Sequence, residues 1–179
     1  MARAGYGDSW RMPILVSAGK ALDRGSRIAC DVAGWLLAGM AVLINVEIVL
    51  RYVFNSSTLI ADEYSGYLFV WSTLLGFGYA LQNEQFLKVE TLVSRFGPRG
   101  QQATAILAAL AGLVVAAVCT YATGALFYSS WHFGTASIQP SATPLWLPQI
   151  MLPVAFGWLC VIYVYQALRA IQQLRKPRP

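Results

Sequence analysis

The chain is 179 residues long, 57% apolar and only 12% charged, with a formal net charge of +5. A soluble domain carries about a quarter charged residues, so this composition excludes a water-exposed globule. The placement of the basic residues, flanking apolar runs rather than gathered on a patch, excludes a nucleic-acid-binding protein.

The amino terminus does not read as a secretory signal. Its apolar stretch, residues 14–18, is too short for a signal core, and Lys20, Asp23, Arg24 and Arg27 follow directly. Residues 10–27 mix Ile14, Leu15, Ala18 and Leu22 with basic residues, as a surface-lying helix does, although Pro13 and Gly19 interrupt the pattern. Four long apolar segments follow, at residues 28–54, 63–81, 103–128 and 148–171. A helix needs roughly 20 residues to cross a bilayer core, and lipid admits helices but no open strand edges. The predicted fold is therefore all-α: four transmembrane helices in a single domain over residues 1–179, with tails at 1–27 and 172–179.

Span one contains Glu47 and, one turn later, Arg51. At this spacing the two pair on one helix face. A lone charge at the bilayer centre costs roughly 2.5–3.5 kcal/mol on insertion scales, less toward the end of a span. One reading is a proton or ion site. The other is a structural ion pair, with Arg51 reaching out toward the interface. Asp62 and Glu63 open span two, where the helix dipole favours acidic side chains. They are also at a depth from which a tie to Arg51 is feasible.

Between spans two and three, Val89, Leu92, Val93 and Phe96 fall on one helical face, with Lys88, Glu90 and Arg95 on the other. This predicts a short amphipathic interfacial helix, stopped by Gly97 and Pro98. In span three Thr104, Ala108, Gly112, Ala116, Thr120 and Gly124 recur every fourth residue. Such a stripe of small residues lets membrane helices approach closely, within this chain or against a partner. Pro148 suits the first turn of span four. Pro153 predicts either a kink or a helix that begins later.

The three cysteines, Cys30, Cys119 and Cys160, lie inside apolar segments at spacings that match no metal or redox motif. His132 is the single histidine, so a haem held by two histidines is excluded. No nucleophile–base pair, phosphate loop or metal cluster appears in the sequence. The chain is expected to be no enzyme, to bind no cofactor of its own, and to be too small and apolar to form a solute pathway alone. Orientation follows from Lys and Arg. Both tails and the 82–102 connection are basic, whereas residues 55–62 and 129–147 carry no Lys or Arg. The positive-inside rule places both termini and the middle connection in the cytoplasm.

Arg51-Tyr52-Val53-Phe54-Asn55, the acidic pair Asp62-Glu63, an apolar run to Trp71 with Gly76 and Gly78, Leu87-Lys88-Val89-Glu90, and the Pro148 to Pro153 start of span four occur in order. This set resembles the small, DctQ-like membrane subunit of tripartite ATP-independent periplasmic (TRAP) transporters. Ile60 and Phe86 stand where that family often has Trp and His, and Asp62 and Glu90 exchange the usual carboxylates. The resemblance implies a chain that stands outside the solute pathway, in the bacterial inner membrane. It would brace a large, sodium-coupled, elevator-type permease and help dock a periplasmic solute-binding protein for uptake of an organic acid. Sodium coupling would run through the large subunit, and the remaining contacts would be with membrane lipid. A small subunit fused to its large partner is not expected, because a basic tail follows span four. Two other readings are a membrane anchor of a redox enzyme and a freestanding small transporter.

Overall fold

The computed structural model describes residues 13–83 and 97–175. Five helices lie in this part of the chain: α1 (Pro13–Val53), α2 (Ala61–Gln82), α3 (Pro98–Phe133), α4 (Trp146–Gln149) and α5 (Met151–Arg175). The predicted interfacial helix, with Val89, Leu92, Val93 and Phe96, lies outside the described residues.

α1 runs unbroken for 41 residues, about 60 Å at 1.5 Å per residue. Pro13 stands at its first position, where a missing N–H costs nothing. The expected separate surface helix at residues 10–27 is therefore corrected: its described part is the first third of α1. Gly19 does not break the helix, because its bare Cα is where the Tyr165 ring of α5 packs. Gly97 and Pro98, read as a stop signal, also begin α3, with Gly97 as N-cap and Pro98 in the first turn. α3 ends at Gly134, whose φ of 58° is the left-handed conformation that glycine adopts without steric cost. At the start of span four the helix begins at Trp146, with Pro148 in its first turn, and is interrupted only at Ile150. Pro153 has no N–H to offer the Gln149 carbonyl, and the interruption is confined to Ile150, which keeps helical dihedrals (φ −58°, ψ −31°) between α4 and α5.

The long helices form a row. α1 packs along α2, α2 along α5, and α5 along α3; α1 reaches α5 only near its amino-terminal end. Glycines set the close approaches. Trp158 of α5 seats between Gly25 and Gly78, where a Cβ would come within 2.9 Å and 3.1 Å of its ring. The Tyr163 ring covers Gly112 so closely that a Cβ there would overlap it. Leu22, Ala116, Leu159 and Ile162 form the buried centre, and Ile162 is wholly enclosed.

Most of the apolar surface points outward. Trp35 on α1 is 79% exposed and Tyr121 on α3 is 81% exposed. Surface of that extent is stable only in lipid or against another protein. Among the described residues, three stretches are long and apolar enough to cross a membrane: Ser17–Val53, Ala103–Phe133 and Trp146–Gln172. The expected second span is the helix α2, which falls short of that apolar standard. Tyr64, Ser65, Tyr67, Ser72, Thr73 and Tyr79 dilute it. Its hydroxyls are also satisfied: Ser72 and Thr73 donate to the Phe69 carbonyl at 2.9 Å and 2.8 Å, as buried backbone and side-chain groups require.

Candidate functional site

Four chain segments meet at one end of the row: the carboxyl end of α1, the 54–60 loop, the amino end of α2 and the 134–145 loop. Two carboxylates organise this loop end. Glu47, 7% exposed, faces the 54–60 loop. It accepts hydrogen bonds from Ser57 Oγ at 2.5 Å and Thr58 Oγ1 at 2.6 Å, with the Thr58 N–H at 3.3 Å. Each hydroxyl in turn accepts from the backbone. Ser57 Oγ takes the Leu59 N–H at 3.3 Å, and Thr58 Oγ1 takes the Ile60 N–H at 3.4 Å. The loop closes through two left-handed residues, Asn55 (φ 49°) and Leu59 (φ 56°). Asn tolerates that conformation; a branched apolar residue such as Leu pays for it, at roughly 1–2 kcal/mol. The hydroxyl relay holds Leu59 there.

Glu63 captures the other loop. Its carboxylate accepts from Tyr67 Oη at 2.5 Å and from the Ser141 hydroxyl. Ser141 is joined to Thr143 at 3.0 Å, and Thr143 to Tyr64 Oη at 3.0 Å. The 134–145 loop doubles back on itself through Ser137 N–H to the Thr143 carbonyl at 2.9 Å and Leu145 N–H to the Thr135 carbonyl at 3.0 Å. Trp71 Nε1 donates to the Pro148 carbonyl at 2.9 Å and fixes α4 against α2.

Glu47 and Arg51 do come together, at 3.6 Å, but the guanidinium side is 54% exposed and the contact is longer than either hydroxyl bond. Asp62 is exposed and forms no ion pair with Arg51; Glu63 faces away from Arg51, toward the 134–145 loop. The sequence reading passed over Ser57, Thr58, Ser141 and Thr143. The clusters of Ser and Thr beside uncharged turns were the available signal. It also passed over Asp31, which is exposed on α1 inside the segment taken as span one.

The stripe on α3 packs on α5 in its central part. Gly112 lies under Tyr163, Ala116 is buried in the core, and Thr120 Oγ1 is 3.7 Å from Cys160 Sγ. Ala108 is exposed, and Gly124 has nothing within 4 Å of a Cβ position. His132 stacks on Tyr128 with ring centres 5.9 Å apart, and Trp131 meets Trp146 edge-on at 4.8 Å. Aromatic residues grouped at one end of membrane helices suit the lipid–water interface. The cysteines are free thiols. Among the described residues no group of His, Cys, Asp and Glu is placed to hold a metal ion.

Three long apolar helices, outward-facing apolar surface and hydroxyl-tied loops define a helical membrane protein. Residues 40–173 match the family model described as the DctQ component of tripartite ATP-independent periplasmic transporters, and the chain belongs to that family. Over 66 residues it is 42% identical to a Haemophilus influenzae protein named, provisionally, as a TRAP transporter small permease protein. That match covers 37% of this chain and 41% of the relative's length. No solved structure matches the chain.

Proposed function

We propose that the chain is the stationary small subunit of a TRAP transporter. It braces a large elevator-type permease and helps dock a periplasmic solute-binding protein for sodium-coupled uptake of an organic acid. Membership of the DctQ family over residues 40–173 carries this reading. The loop end supports it: a surface that receives a soluble protein must hold its shape, and both loops are tied to carboxylates on α1 and α2. The outward apolar faces of α1 and α3 provide surface for a larger membrane partner and for lipid. The sodium site and solute pathway belong to the large subunit, and this chain carries no cofactor.

In this reading α2 is a fourth span. Its 22 residues reach about 33 Å, enough for a core of about 30 Å. Both termini lie in the cytoplasm of a bacterial inner membrane, because the basic residues gather at their end of the row. Affinity purification of the tagged full chain from native membranes in mild detergent tests the proposal. A much larger polytopic protein should co-purify. Recovery of this chain by itself, monomeric or self-associated, counts against it. Labelling of single cysteines placed in the tails and in the 134–145 loop tests the orientation; the loop should react from the periplasmic side and the tails should not.

A further inference from the structure

At the end opposite the loops, α2 and α3 each pack on α5 and not on one another. The gap between them is a cleft of about 530 Å³, within the range of small-molecule sites. Its two parts differ in character. Ala105, Ala108 and Ala109 of α3 face Phe77 of α2 across a shallow apolar trough, and Gln166 and Arg169 of α5 stand at the polar rim. Gln166 is fixed by its amide nitrogen, which donates to the Leu81 carbonyl at 3.0 Å.

The rim carries one unpaired cation: Arg169 lines the cleft and has no carboxylate within ion-pair distance among the described residues. Asp23 also lines the cleft, but its carboxylate is held by Arg27 at 3.0 Å.

We propose that this cleft binds one anionic phospholipid, with its phosphate on Arg169 and an acyl chain along the alanine-lined trough. A soluble anion would leave the trough unfilled. A zwitterionic lipid would gain less from a cationic rim, since its own ammonium offsets its phosphate. The alanines matter because each lacks the side chain that would fill the trough.

The test uses the full chain reconstituted in vesicles of phosphatidylcholine containing a minority of phosphatidylglycerol, extracted in mild detergent and weighed by native mass spectrometry. Phosphatidylglycerol should remain bound in preference to phosphatidylcholine. Arg169→Gln should reduce that preference roughly fivefold, the contribution of one basic residue at an anionic surface, and Arg169→Lys should retain it. Ala108→Leu fills the trough without altering charge and should lower retention of both lipids. Arg169 is exposed, so its replacement leaves the helix packing intact and the test does not depend on how well the Leu variant folds. Equal phosphatidylglycerol retention by wild type and Arg169→Gln overturns the proposal. So does a purified complex in which a partner polypeptide crosslinks to residue 108 and no lipid is retained.

Discussion

The two ends of the helical row are built by different chemistry. At the loop end, helices are joined by carboxylates that gather hydroxyl groups: Glu47 with Ser57 and Thr58, Glu63 with Tyr67 and Ser141. At the basic end the helices meet through aromatic rings seated on glycines: Tyr165 on Gly19, Trp158 on Gly25 and Gly78, Tyr163 on Gly112. The few polar links there are neutral. Gln82, with its amide nitrogen toward α1, donates to Ser26 Oγ at 2.6 Å and to the Leu22 carbonyl at 3.1 Å, and Trp158 Nε1 reaches Ser26 Oγ at 3.3 Å. Charge-assisted bonds fix the position of loops that have little apolar surface of their own. Close packing fixes helices where lipid removes any hydrophobic drive to associate. Loss of a hydroxyl partner should therefore loosen a loop locally, whereas a side chain added at a glycine should push whole helices apart.

The largest effect is expected at Gly112. A leucine there must displace the Tyr163 ring and separate α3 from α5. Overpacking of this kind costs up to about 3 kcal/mol, and it should appear as a marked drop in the thermal unfolding midpoint in detergent. Gly124, on the same stripe with open space around it, should accept alanine with little change. Equal losses at the two positions would mean that the stripe packs as a unit and that the contact with Tyr163 is not what matters.

Next comes Glu47. Its replacement by Ala removes the shared acceptor of Ser57 and Thr58 and frees the left-handed turn at Leu59. Amide exchange at residues 57–60 should rise on the order of tenfold, as expected when hydrogen bonds to a charged group are lost. Exchange at Ser26 and Leu81, at the opposite end, should not change. Matching increases at both ends would erase the distinction between them.

The all-helical character and the three long apolar helices of the described residues were legible in the sequence because hydropathy and helix length are properties of the chain itself. The interruption expected near Pro153 was legible for the same reason, and it falls at Ile150, between α4 and α5. The continuous α1 was not. Pro13, Gly19 and the interspersed basic residues argue locally for an interruption, and only the seat that Gly19 makes for Tyr165 explains why the helix continues. Glu47 was visible as a buried charge, but its partners were sought one helical turn away at Arg51. The hydroxyls that hold it lie ten and eleven residues further on, in a loop whose path depends on two left-handed residues. Glu63 shows the same limit more strongly, since Ser141 is 78 residues away.

Trp71 probes the link between α2 and α4. Phenylalanine keeps most of the ring and removes the donor to the Pro148 carbonyl. About 1 kcal/mol is the expected loss for one such bond, less if water or a neighbouring hydroxyl takes the freed carbonyl. The consequence should stay within the 134–150 region by hydrogen exchange. A loss as large as that at Gly112 would make the loop end as dependent on packing as the basic end.

The smallest effect is expected at Arg51, and it separates the two readings of the Glu47 pair. If Arg51 neutralised Glu47, Arg51→Gln would strand a buried carboxylate and destabilise the chain as much as Glu47→Ala. The geometry argues otherwise. The guanidinium is more than half exposed and 3.6 Å from a carboxylate that already accepts hydrogen bonds from Ser57 and Thr58 at 2.5 Å and 2.6 Å. An exposed pair at that distance contributes little, and the loop hydroxyls stabilise the charge without it. Arg51→Gln should thus leave both the unfolding midpoint and exchange at residues 57–60 within error of wild type. A Ser57→Ala, Thr58→Val double variant, with Arg51 intact, should reproduce most of the Glu47→Ala phenotype. The reverse pattern would return Arg51 to the role of essential counter-ion and reduce the loop to a passive cover.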